Sequence, residues 1–251
     1  MSLPLCLFRV SGQTRIRPRM LNQMEGRSLE ALCAAVPSAR EREHLQVALR
    51  RAAGARVKSV VDKPRFVEAT VAFTRRARVL GELAEIPAEY RVLFRKNAAV
   101  LAVAGTSVAL AESFARAFQC AAAGDALALH RIEFGRAFLQ QLAKWLLSQS
   151  HAVPGSLLRA RFVNASLADD GPFDEITLAS NTLLESKTFT ILAKKRGEPA
   201  FITFIAPIFE GVSRPLTCSF NFRGVLRVLT AETTTEEADR LVDQIEALLP
   251  A

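Results

Sequence analysis

Few residues in this chain have the types and spacing that chemistry needs. His44, His130 and His151 stand far apart, and none has a second ligand at the spacing that brings two side chains onto one metal ion. Cys6, Cys33, Cys120 and Cys218 form no CxxC pair, so a metal site is not expected. They read as reduced thiols, with Cys33 and Cys120 set among alanines as small buried hydrophobes. No nucleophile elbow, HExxH helix, phosphate-binding loop or GxGxxG turn occurs. Asp169–Asp170 is the carboxylate pair to consider, but Gly171–Pro172 follow it directly, which is the composition of a solvated turn. The expectation is a protein that binds rather than one that catalyses, with no metal and no cofactor.

Charge narrows the partners. The chain of 251 residues is half apolar, enough for one domain over residues 1–251 with a sizeable core. It carries +8, from 33 Lys and Arg against 25 Asp and Glu. A basic surface attracts nucleic acid or acidic lipid. The aromatics are nearly all Phe, sixteen against one Trp and one Tyr, and no RNP-like basic-aromatic block is present. The longest uncharged apolar stretch, Ala98 to Ala111, is too short to cross a bilayer and reads as a buried helix. A pore built from strands has a weaker signal and stays open. Residues 1–24 hold Arg9, Arg15, Arg17 and Arg19 and no acid, the bias of a mitochondrial leader. Against that, Leu5 to Val10 reads as a strand.

The elements follow from periodicity and caps. Ser28 opens a helix over Leu29 to Val36, and Ser38 caps a longer one from Ala39 to about Ala53. Arg15 to Leu21 reads as extended. Phe66 to Glu85 reads as a helix with Val67, Val71, Thr74 and Arg78 on one stripe, and Tyr90 to Ala123 as helix broken at Gly105. Another helix runs from Ile132 to Ser148, with Phe134, Phe138, Leu142, Trp145 and Leu146 on one face. After Pro154–Gly155 the period becomes two. Leu157 to Ala165, Asp174 to Ala193 and Ala200 to Ile208 read as strand segments, with a hairpin turn at Arg196–Gly197. Leu216 to Arg223 alternates cleanly, and Val225 to Leu229 follows Gly224. A final helix is announced by Thr233–Thr235 and Glu236, Glu237 and Asp239 in its first turn. Its stripe is Leu241, Ile245, Leu248 and Leu249. The fold class expected is α+β: helices clustered in the first 150 residues around a twisted, mostly antiparallel sheet formed largely by residues 155–230, then a C-terminal helix.

Three stretches together resemble the bacterial and fungal gasdermins, the pore-forming cell-death proteins of microbial defence. They are Ile16–Arg17–Pro18 through Leu21 with Gly26, Leu29 and Leu32; Ile132–Glu133–Phe134; and Asp174–Glu175–Ile176 through Ser186–Ile191, Ala193–Lys195, Pro207–Ile208 and Gly211–Val212. The last is similar to the family's late pair of strands. The resemblance implies a cytoplasmic, autoinhibited resting protein. Release of a C-terminal tail, by an activating protease or by displacement, would let copies oligomerise on anionic lipid into a β-barrel pore. It implies lipid contacts at Arg15, Arg17, Arg19, Lys187, Lys194, Lys195 and Arg196, and an acylated cysteine that corresponds to Cys6. The chain departs from the family where residues 39–130 read mostly as helix rather than as membrane-inserting hairpin.

The charge distribution bears on the same question. In residues 228–251 six acids stand against one base, so this segment is −5 and the rest of a +8 chain is +13. The division expected is a body, 1–229, and an acidic helical tail, 230–251. Such a tail suits masking of a lipid-facing surface, and it equally suits an ordinary helix completing the core. The alternative to a pore former is a basic organellar or nucleic-acid-associated scaffold without catalytic activity.

Overall fold

The computed structural model describes residues 3–12, 18–50, 52–79, 82–96, 99–105, 107–122, 127–148, 153–166, 172–222 and 224–249. The Asp169–Asp170 turn, Arg15 and Arg17 lie outside them. The fold is α+β, and every described strand pairing is antiparallel. The chain forms two compact units, Leu5–Arg131 and Met1–Pro4 with Ile132–Ala251, where the sequence reads as one domain plus a tail.

In the first unit the chain runs β1 (Leu3–Gly12), α1 (Pro18–Asn22), α2 (Leu29–Cys33), α3 (Ala39–Leu49), β2 (Ala53–Asp62), β3 (Phe66–Val79), β4 (Glu82–Arg95), β5 (Val100–Ala104), α4 (Val108–Ala122) and β6 (Leu127–Arg131). Its strand order is β2-β3-β4-β5-β1, with β6 on the far half of β1. Ser28 caps α2 by accepting from Ala31 N, and Ser38 Oγ accepts from Glu41 N, as the cap residues foretold. One face of the sheet is closed by α4: Tyr90 and Phe94 of β4 pack their rings on Phe114 and Phe118, all at most 3% exposed. The outer edge of β2 is covered where Gly26 N donates to Val57 O and Val57 N donates to Arg27 O.

Here the strands overturn three expectations. Phe66 to Glu85 is no helix but β3 and the start of β4, and the rest of β4 to Arg95 and Val100–Ala104 are strand where helix was expected. Strands therefore run through the first 150 residues among the helices expected to cluster there, and the sheet is not formed largely by residues 155–230. The stripe Val67, Val71, Thr74, Arg78 fits a helix, but Val67, Ala69, Val71 and Phe73 also alternate. Pairing with β2 and β4 decides between the two periods, and the β-branched residues favour the strand. Pro18–Asn22 is likewise a helical turn, not an extended run.

The second unit holds α5 (Arg136–Leu146), β7 (Ser156–Ser166), β8 (Pro172–Ala179), α6 (Lys187–Ile191) continued by a π-helical turn (Leu192–Arg196), β9 (Glu198–Ala206), β10 (Leu216–Asn221), β11 (Val225–Val228) and α7 (Thr235–Ala247). Its order is β11-β10-β9-β7-β8. β10 is a strand as expected, ending at Asn221, with Leu216, Cys218 and Phe220 buried, Phe222 buried just beyond it, and Ser219 of the opposite face buried as well. Phe138, Leu142 and Leu146 of α5 are buried, and Phe134 and Phe138 meet the ring of Phe220. Gly155 sits where the end of α5 and β9 crowd the backbone. A Cβ there would lie 2.5 Å from Leu146 Cδ2 and 2.6 Å from Ile205 O, so no other residue fits without movement.

The reading of Asp174 to Ala193 as strand, with a hairpin turn at Arg196–Gly197, is corrected. Only β8 is strand, and a helical segment follows. Ser186 caps that segment, its Oγ accepting from Phe189 N at 3.4 Å, and Phe189, Leu192 and Ala193 then fall at helical spacing toward the core.

Candidate functional site

The β3–β4 hairpin is the feature that could act on something outside the fold. Each strand has 14 residues. At about 3.3 Å per residue that exceeds the 9–11 residues a strand needs to cross a bilayer. The register sorts its side chains onto two faces. One carries the pairs Val67/Phe94, Ala69/Val92, Val71/Tyr90, Phe73/Ala88, Arg75/Ile86 and Ala77/Ala84 and, next to the tip, Glu82; it is apolar except for Arg75 and Glu82. The other carries Glu68/Leu93, Thr70/Arg91, Ala72/Glu89, Thr74/Pro87, Arg76/Glu85 and Arg78/Leu83.

The inner part of the apolar face is core, since Tyr90 packs on Phe114 of α4 and Val71, paired with it, is fully buried. The outer part is not. β2 pairs with β3 only as far as Thr74, and β5 with β4 only from Arg91. Among the described residues the end of the hairpin from Arg75 to Ile86 has no third strand. On the apolar face Ile86 is 41% exposed, and on the opposite face Leu83 is 68% exposed. The Arg76–Glu85 and Lys58–Glu89 ion pairs along the polar face are exposed and add little to stability. The signal for this hairpin was in the sequence as alternation within residues 67–77. β7–β8 repeats the pattern in shorter form, Ala160/Leu178 and Phe162/Ile176 opposing Arg161/Thr177 and Val163/Glu175.

The lipid-contact residues expected from sequence are placed as follows. Arg19 is exposed on α1 in the first unit. Lys187, Lys194, Lys195 and Arg196 are exposed in the second, on the helical segment rather than on a strand hairpin. Arg136 holds the end of that segment, donating from Nη2 to Gly197 O at 2.8 Å and from Nη1 to Lys194 O at 3.4 Å. Cys6 is 3% exposed on β1, opposite Val103, so an acyl chain reaches its thiol only if β1 opens.

The tail is built into the second unit. Thr234 and Glu237 form a reciprocal capping box at the start of α7. Ala238, Leu241, Val242 and Ile245 are at most 1% exposed. The stripe differs from the expected one at its end, because Leu248 and Leu249 follow the last helical residue and are half-buried. Burying Leu241, Val242 and Ile245 contributes about 5–9 kcal/mol as an upper bound before ordering costs. Arg214 adds a clamp to Glu237, which lowers the carboxyl pKa chiefly through their hydrogen bond.

Among the described residues, groups suited to covalent chemistry do not converge. Burial pushes the Cys33 thiol up to about 11, with Cys120 and then Glu30 adding to it, so thiolate is scarce at neutral pH. Burial raises Cys218 further. An open groove of about 550 Å³ between α3 and β3 mixes Glu30 with Arg50 and Arg76, and it has no aligned acid, base or nucleophile. Among the described residues no cluster of His, Cys, Asp and Glu could hold a metal ion, and no helix is long and apolar enough to cross a membrane. No protein-family model matches the chain, and no curated protein sequence matches it.

Proposed function

We propose that this chain is a membrane-binding, pore-forming protein of the gasdermin-like kind, without catalytic activity. It rests with its C-terminal helix in place and oligomerises on acidic lipid once that helix is released. The observation that carries this reading is the β3–β4 hairpin, apolar on one face and polar on the other over a membrane-spanning length. That is the alternation a barrel strand needs: apolar side chains toward lipid and polar ones toward water. Closing strands from several copies into a barrel leaves no backbone edge unpaired in hydrocarbon. Arg75 and Glu82, the exceptions on the apolar face, sit toward the tip, where charged side chains can reach the far interface. The +13 body favours anionic lipid as the partner.

The test is dye release from liposomes containing acidic phospholipid, with the tail cut from the body. Ile86→Asp and Ala84→Asp place acids on the lipid-facing side at positions outside the sealed core. Both should fold normally and bind vesicles while release is abolished. Undiminished release from both variants would remove the hairpin from the mechanism. Tight binding to duplex DNA or RNA with no release from any variant would favour the basic scaffold instead.

A further inference from the structure

The segment Lys187–Arg196 has a feature that a run of bases does not explain. Its core side is Phe189, Leu192 and Ala193, at 4%, 0% and 5% exposure. In an α-helix Arg196, seven residues after Phe189, would return to that same side. The chain avoids this by widening into a π-helical turn from Leu192 to Arg196. With about 4.4 residues per turn and i→i+5 bonding, the later residues fall progressively behind α-helical register, so Arg196 is carried away from the core. Arg136 fixes the widened end through Lys194 O and Gly197 O. The outcome is one exposed face with Lys187, Lys194, Lys195 and Arg196 around a bare Ile191, which is 44% exposed. Glu185 and Glu198 bound the segment, and no acid lies between them.

A solvated basic face needs no isoleucine at its centre, and a protein-docking face would not ring its apolar anchor with lysines. Cationic stems around an apolar tip fit the boundary of an anionic bilayer, where bases meet headgroups and the apolar residue enters the acyl region. The geometry points to this face as the site by which the chain lands on acidic membrane, with Ile191 as its inserted residue. The inference rests on the membrane reading above and adds to it the order of events. The face is exposed while α7 is still in place, so landing precedes release of the tail.

The experiment uses the full, uncut chain and sedimentation with vesicles of phosphatidylserine and phosphatidylcholine, beside phosphatidylcholine alone. Wild type should bind the acidic vesicles without releasing their contents. Ile191→Asn should weaken binding about tenfold with an unchanged melting temperature, and Ile191→Leu should restore it. Neutralising Lys194, Lys195 and Arg196 together to Gln should weaken it about a hundredfold. Ile191→Trp should gain emission that bromine-labelled acyl chains quench. Binding unaffected by Ile191→Asn, or failure of the uncut chain to bind acidic vesicles at all, overturns the inference. So does tighter binding to a duplex oligonucleotide than to vesicles. Landing of the uncut chain with no release even after the tail is cut supports this site and counts against the pore alone.

Discussion

Arg214 grips Glu237 with two parallel hydrogen bonds, Nε to Oε1 at 3.1 Å and Nη2 to Oε2 at 3.1 Å, and the same Nη2 donates to Glu232 O at 3.0 Å. One guanidinium thus ties the loop before β10 to both the approach and the first turn of α7. The fork geometry makes Lys a poor substitute. Glu237 has its pKa lowered, so its contribution to stability is present above the ordinary carboxylate pKa and is lost as pH falls through the lowered one. Glu237→Gln should lower the melting temperature at pH 7. The gap to wild type should close as the pH drops below about 4. A gap that persists unchanged at pH 2 would mean that the ion pair is not what Gln removes.

A cut in the exposed loop between Leu229 and Thr233 separates α7 from the body without deleting it. In a chain carrying a protease site there, the cut protein should stay soluble until acidic liposomes are added. The tail then has lost the effective concentration that the tether supplied, and dye release should follow. Precipitation on cutting, with no release, would make α7 core and nothing more. Gel filtration of the cut sample before lipid is added tells the two apart.

Tyr90 is 1% exposed, and its hydroxyl finds no hydrogen-bond partner among the described residues. An unpaired buried hydroxyl costs about 1–3 kcal/mol, so Tyr90→Phe should be neutral or stabilising by about 1 kcal/mol in urea unfolding. Clear destabilisation would reveal a partner for the hydroxyl.

Cys6 should resist maleimide in the native chain and react after denaturation, since its neighbours Leu5, Leu7 and Phe8 are buried with it. The intact mass of protein from its native host then decides whether an acyl group is attached before β1 closes. An unmodified mass ends any role for Cys6 in anchoring.

How far the fold could be read from residues depends on how local each determinant is. The helix starts at Ser28, Ser38 and Thr234 were legible because a cap is made by a side chain and the amides a few residues on. The β10 strand was legible because Leu216, Cys218, Phe220 and Phe222 alternate with no competing period. β3 was not, because Val67, Val71 and Thr74 fit a helix while Val67, Ala69, Val71 and Phe73 alternate as a strand, and the choice is made by partners that lie elsewhere in the chain. The hairpin that carries the proposed function was hidden by the same ambiguity. Lys194–Arg196 stood out as a cluster, but its helical setting and the bare Ile191 depend on a widened turn that no local pattern announces.

The single tyrosine and the single tryptophan fall in different units, Tyr90 in Leu5–Arg131 and Trp145 in the unit of Ile132–Ala251. Each unit therefore carries its own optical reporter with no label added. Tyr90 is sealed against Phe114, and Trp145 is half-buried beside Phe209. Excitation at the red edge selects the indole alone, while ultraviolet difference absorption follows the phenol. During a stopped-flow encounter with vesicles, the two signals give the order in which the units rearrange, in one unmodified sample.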